Sequence, residues 1–127
     1  MKPNGETTYR LWKDTDRAAL WELGVEETEF PTVVAERDGE IIGCLATQEE
    51  PSCVVAGPLV VKDGRLKAIC GIRLAEAYEN VLRAAGVTTY YFCIDREHEA
   101  WIKSALRMGT FTLYGDEGHQ LVFRREL

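Results

Sequence analysis

The 127-residue chain has no long hydrophobic run. Its apolar stretches are short and broken by Lys, Glu or Arg, too brief for a membrane span. It is also short of positive charge. Its 15 Lys and Arg stand against 21 Asp and Glu, a net −6, so nucleic acid is not the expected partner. The four cysteines (Cys44, Cys53, Cys70, Cys93) include no C-x-x-C pair, which argues against zinc and disulfide-exchange motifs; no metal is expected. Met1 to Thr8 has neither a basic start nor a greasy stretch, so no signal peptide is expected and a cytoplasmic chain with reduced thiols is. What remains is a globular composition, 46% hydrophobic and 9% aromatic. That is enough for one core and too little for two, so a single domain over 1–127 is expected.

Periodicity and turn chemistry order the elements. Tyr9 to Trp12 alternates as a strand, and Asp14 or Thr15 can cap a short helix, Arg17 to Leu23, that Gly24 stops. An acidic connector, Val25 to Phe30, leads to strands Thr32 to Glu36 and Glu40 to Thr47 around Asp38-Gly39, a type I′ signal. A third apolar strand spans Cys53 to Val61. Leu74, Tyr78, Val81, Leu82 and Ala85 then recur at helical spacing, with Arg73, Glu76, Glu79 and Arg83 opposite them and Gly86 as the stop. Val87 to Ile94 is a buried strand, and Asp95 caps a helix from Arg96 to Met108. Two last strands, Thr110 to Tyr114 and Gln120 to Arg124, complete the order β-α-β-β-β-α-β-α-β-β. This predicts an α/β (α+β) domain, a mixed and mostly antiparallel sheet of about seven strands with helices on both faces.

Lys62, Arg65, Lys67 and Arg73 place four cations against Asp63 alone within 12 residues of an acidic chain. Three readings stand: a solvated surface, a phosphate site, or a site for another anion such as a nucleotide. Glu22, Glu26, Glu27 and Glu29 form an acidic counterpart, either a solvated loop or a lure for a cationic amine.

The order resembles the GNAT acetyltransferase superfamily over nearly the whole chain. Val33 to Thr47, Leu59-Val60-Val61-Lys62-Asp63 with the helix up to Gly86, and Phe92 to Gly109 carry the likeness. The resemblance implies an acetyl-CoA-dependent N-acyltransferase acting on a primary amine, free or in a peptide, by direct attack in a ternary complex. It implies oxyanion contacts from backbone amides at Val60 and Val61, and a cofactor site drawn from Val61, Arg65, Leu66, Lys67, Ile69, Gly71 and His98. Dimers are common in the superfamily, and the hairpin Thr110 to Arg124 is where an interface would form.

Departures are specific. The family's second helix is missing or vestigial. The family's pyrophosphate loop, Arg or Gln, two residues, Gly, one residue, then Gly or Ala, aligns with Leu66, Ile69 and Gly71, so only the last glycine survives. His98 and Ala105 occupy the family's Asn and Tyr positions, so the usual proton donor to the leaving thiolate is absent. Tyr90, Tyr91 or Tyr114 are the substitutes, and Glu36, Glu49, Glu50 or Asp95 the nearest bases. Among these, Tyr114 and Glu36 are carried forward as catalytic candidates. Cys53 and Cys93 lack a base and read as core, and His119 reads as surface. A non-catalytic binding or interaction module with a degenerate CoA site is the alternative.

Overall fold

Short β-branched and apolar runs, separated by turn residues, form seven strands of one sheet in a computed structural model that describes residues 6–127. Met1 to Gly5, most of the stretch read for a signal peptide, lies outside the described residues. The elements are β1 (Thr7–Leu11), α1 (Arg17–Glu22), β2 (Val33–Arg37), β3 (Glu40–Gln48), β4 (Val55–Val61), α2 (Lys67–Ala84), β5 (Thr89–Asp95), α3 (Glu99–Met108), β6 (Phe111–Asp116) and β7 (Gln120–Glu126). Across the sheet they run β1-β2-β3-β4-β5-β7-β6, antiparallel throughout except between β4 and β5. Both the element order and the mixed sheet agree with the sequence.

Asp38 and Gly39 take φ of 53° and 79°, the type I′ geometry expected of that pair, and set the β2–β3 hairpin. One face of the sheet packs Val33, Ala35, Leu45 and Ala56 against Cys70, Leu74, Tyr78 and Leu82 of α2. Fully burying Leu74 and Leu82 contributes about 1.5–3 kcal/mol each. Beyond this cluster, α3 packs Ala105 against Ile94 and Phe123. On the opposite face, Leu20 of α1 and Val25 meet Val34, Ile41, Cys44 and Ala46. No helix among the described residues is long and apolar enough to cross a membrane.

Two boundaries and the burial of one residue differ from the sequence reading. α3 begins at Glu99, not Arg96, because Arg96 is drawn elsewhere. Its N–H donates to the His119 carbonyl, and its guanidinium binds Asp116 and the Gly118 carbonyl. β4 begins at Val55, which leaves Cys53 exposed in a turn and not in the core. Glu79 is buried and not on a solvated face. Its carboxylate accepts from Tyr90 Oη (2.7 Å) and Arg125 Nε (2.9 Å), tying α2 to β5 and β7. Tyr90 is therefore no free proton donor; burial and the Glu79 carboxylate together raise its pKa.

Candidate active site

β4 and β5 are parallel neighbours that pair only at Val55–Tyr91 and Ala56–Phe92. The next residues of β4 are Gly57-Pro58, and there the strand bulges. From Ala56 to Leu59 it advances three residues while β3 advances two, Thr47 to Leu45. Proline also lacks the N–H that would continue a ladder. Beyond this point β4 leaves β5, and a cleft opens towards the carboxyl ends of both strands. That is where parallel sheets bind ligands.

Backbone alternation decides which amides face the cleft. The Lys62 N–H donates to the Ile42 carbonyl at 2.9 Å, so Val60, two residues earlier and opposite Cys44, is also turned towards β3. A Cβ at Gly43 would lie 2.9 Å from the Val60 carbonyl oxygen, which fits that orientation. Leu59 and Val61 thus present their backbone groups to the cleft. Of the two amides expected to act together, Val61 remains and Val60 is replaced by Leu59, because adjacent strand residues point opposite ways. Cys44, on β3, has its thiol pushed up to about 11 by burial and is inert packing.

At the open end, the expected loop around Leu66 and Ile69 is helical: a 3-10 turn, Gly64–Leu66, runs directly into α2. Ile69 is 64% exposed and stands in solvent rather than against a phosphate position. Leu66 packs into the main core. Gly71 is buried one turn inside α2, where a Cβ would meet Leu59 Cδ2 at 3.5 Å, an ordinary contact; its amide belongs to the helix ladder. Arg65 pairs with Asp63 at 3.0 Å, Lys67 Nζ lies 5.2 Å from the Trp101 ring centroid on α3, and Arg73 pairs with Glu76 at 3.4 Å. Lys62 has no ion-pair partner among the described residues. His98 is exposed at the start of α3, beside Asp95 and Glu97.

A cavity of about 280 Å³ lies on the α1 side of the bulge, lined by Gly57, Pro58, Thr47 and the carboxylates Glu26, Glu27, Glu29 and Glu49. Carboxylate oxygens of Glu27, Glu29 and Glu49 lie within 4.8 Å of one another. None of the four acids is ion-paired to a described residue. Glu49 takes the place that Glu22, which does not line the cavity, was expected to hold. Next to the bulge, Tyr91 and Tyr114 meet edge to face at 5.0 Å, with Tyr114 exposed. Tyr91 lies opposite Val55 and Arg124, on the sheet face away from α2.

One expected role, that of Glu36, is not matched by position, and the site of the missing family Tyr is filled by packing. Glu36 lies on β2, separated from β4 by β3, and is tied to Arg10 at 3.4 Å. Ala105 is buried against Ile94 and Phe123 and offers no hydroxyl. The sequence reading also missed Leu59, Asp63 and Trp101. A Gly-Pro pair inside an apolar strand was the available signal for the bulge, and hence for Leu59.

A seven-stranded sheet whose one parallel pair opens over a helix start is the GNAT acetyltransferase fold. PaiA N-acetyltransferase from Thermoplasma acidophilum, solved in complex with coenzyme A, superposes with a TM-score of 0.76 at 12% identity, over 96% of this chain and 99% of that one. YncA from Salmonella typhimurium, solved with its cofactor acetyl-CoA, gives 0.74 at 17% identity over 97% and 95%. An acetyltransferase of the GNAT family from Streptococcus pneumoniae gives 0.73 at 15% over 96% and 100%. No protein-family model and no curated protein sequence matches the chain. At these identities the likeness establishes the fold.

Proposed function

We propose that the protein is an acetyl-CoA-dependent N-acyltransferase that acetylates a primary amine by direct attack in a ternary complex. The observation that carries this reading is the β4–β5 splay, with cations at the α2 end and an unpaired acidic cavity on the α1 side. The structural neighbours solved with coenzyme A and acetyl-CoA support the choice of cosubstrate.

Acetyl-CoA supplies the activated acyl carbon. The Leu59 and Val61 amides hold the thioester oxygen and its developing charge. Arg65, Lys67, Lys62 and His98 border the open end and face its phosphates. Glu27, Glu29 and Glu49 draw a protonated amine and take its proton, Glu49 serving as base in place of Glu36. The freed lone pair attacks the carbonyl carbon. A C–N bond forms and the C–S bond breaks; the departing sulfur takes a proton from Tyr114, and the second proton, which the nitrogen sheds on becoming an amide, restores the Tyr114 hydroxyl by way of water. A cytoplasmic setting fits the four free thiols. A homodimer through the β6 edge, where Leu113 and Tyr114 are exposed, belongs to the same reading and is checked by light scattering.

Thermal unfolding with and without millimolar acetyl-CoA, at fixed salt, tests the cosubstrate. A Tm rise of several degrees is expected, and no shift overturns it. Release of free CoA thiol with 1,4-diaminobutane tests the chemistry; no release above the amine-free rate with diamines, amino sugars or lysyl peptides overturns that half. One observation favours the non-catalytic module instead. The amides of Arg65 and Leu66 in the turn that enters α2, and that of Lys67 at its first residue, are already bonded within the chain, and under that reading neither readout responds.

A further inference from the structure

Tyr114 is the extra residue of a second β-bulge. Leu113 lies opposite Phe123 and Gly115 opposite Val122, so β6 advances two residues while β7 advances one, and Tyr114 has no partner in the ladder. A bulge re-aims a side chain, and at this one the ladder does not fix where the ring goes. β6 is also an edge strand, and Tyr114 is 61% exposed, so the packing around it is sparse. Its ring nevertheless turns inward. β7 lies between β6 and β5, and the rings of Tyr114 and Tyr91 reach towards each other across it, with centroids 5.0 Å apart and planes at 64°. Edge-to-face contact at that separation is attractive and directional. Tyr91 is the better anchored of the two. Its strand is paired on both sides, its N–H donates to the Val54 carbonyl at 2.9 Å, and it lies opposite Val55, one residue before the last β4–β5 pair. We infer that Tyr91 is a positioning residue: its ring, fixed at the root of the β4–β5 splay, holds the Tyr114 side chain in over the sheet face that carries the acidic cavity. Without that ring, the bulge leaves Tyr114 free to turn out over the β6 edge.

This inference rests on the proposed acyltransferase reading, with Tyr114 as proton donor, and the test separates the two. Release of CoA thiol with 1,4-diaminobutane gives kcat and the KM for acetyl-CoA in the full chain. Wild type is compared with Tyr91→Phe, Tyr91→Ala, Tyr114→Phe and the double variant Tyr91→Ala/Tyr114→Phe. Tyr91→Val, β-branched and too short to reach Tyr114, replaces Tyr91→Ala wherever the latter fails to fold. Tyr91→Phe keeps the ring and is expected to stay within about twofold of wild type. Tyr91→Ala should lower kcat about fivefold or more with the acetyl-CoA KM unchanged, since a displaced proton donor costs turnover and not cosubstrate binding. In the Tyr114→Phe background, which already lacks the hydroxyl, the same change should alter kcat less than about twofold. Wild-type turnover in Tyr91→Ala, an equal loss in Tyr91→Phe, or an undiminished loss in the Tyr114→Phe background overturns the inference and leaves the acyltransferase reading standing. Wild-type turnover in Tyr114→Phe does the same and removes Tyr114 as the donor. No thiol release by the wild type with any amine overturns both.

Discussion

The two rims of the β4–β5 cleft treat charge in opposite ways. On the α2 rim, Arg65, Lys67 and Arg73 each lean on a partner from the same chain: Asp63, the Trp101 ring and Glu76. On the α1 rim, Glu26, Glu27, Glu29 and Glu49 crowd one cavity with no ion-pair partner among the described residues. A neutralised rim can exchange an internal ion for an external one, so its affinity is set by a competition. An unneutralised rim gains from any cation that arrives. The cleft is therefore asymmetric in charge: largely neutralised on one side and acidic on the other.

The largest expected effect lies on the unpaired side. Exchanging Glu27, Glu29 and Glu49 together for Gln should lower kcat/KM for a diamine about 10- to 100-fold while leaving the KM for acetyl-CoA unchanged. A parallel loss in both constants would show that the cavity supports the fold and does not select the amine. Next in size, Gly43→Ala attacks the scaffold between the rims. Its Cβ would press on the Val60 carbonyl, with a stability loss of about 1–3 kcal/mol by urea titration and weaker acetyl-CoA binding. Unchanged stability would mean that β4 yields freely.

On the paired side, Lys62→Ala should weaken acetyl-CoA about two- to fivefold while Arg73→Ala does not, because Arg73 is held by Glu76 and Lys62 has no ion-pair partner among the described residues. Equal losses would erase the distinction between paired and free cations on that rim. The smallest expected effect is a control from outside the cleft. Arg10, with an offset from burial, holds the Asp16 carboxyl below its ordinary value of 3.8. A depressed pKa adds stability above the unfolded-state value, and that stability is lost as pH falls through about 4 and below. Asp16→Asn should therefore flatten the acid limb of Tm against pH, read from thermal melts across the acid range.

Much of the scaffold was legible from local chemistry. Asp38-Gly39 announces its own hairpin, because few other pairs tolerate two positive φ values. Leu74, Tyr78 and Leu82 announce a buried helix face through their four-residue spacing. The start of α3 was not legible, because it depends on Arg96 reaching Asp116 and Gly118 across 20 residues and more. Glu79 misled for the same reason: only the arrival of Tyr90 and Arg125 makes a buried carboxylate tolerable there. Of the candidate site, Val61, Arg65 and Lys67 were visible as a run of neighbours. Leu59 was hidden by strand phase; Glu49 was named among the nearest bases, and its meeting with Glu27 and Glu29 was hidden by the distance in sequence between β3 and the acidic connector.

The sequence by itself determined the order of elements, their turns, the apolar faces and the sign of charge along each segment, since all of these rest on neighbours within a few residues. Only the tertiary structure decided which amides of β4 face the cleft, that Ile69 stands in solvent, and that three glutamates from two segments meet in one cavity. Those outcomes depend on register, bulge position and the packing of distant segments, and no local spacing encodes them.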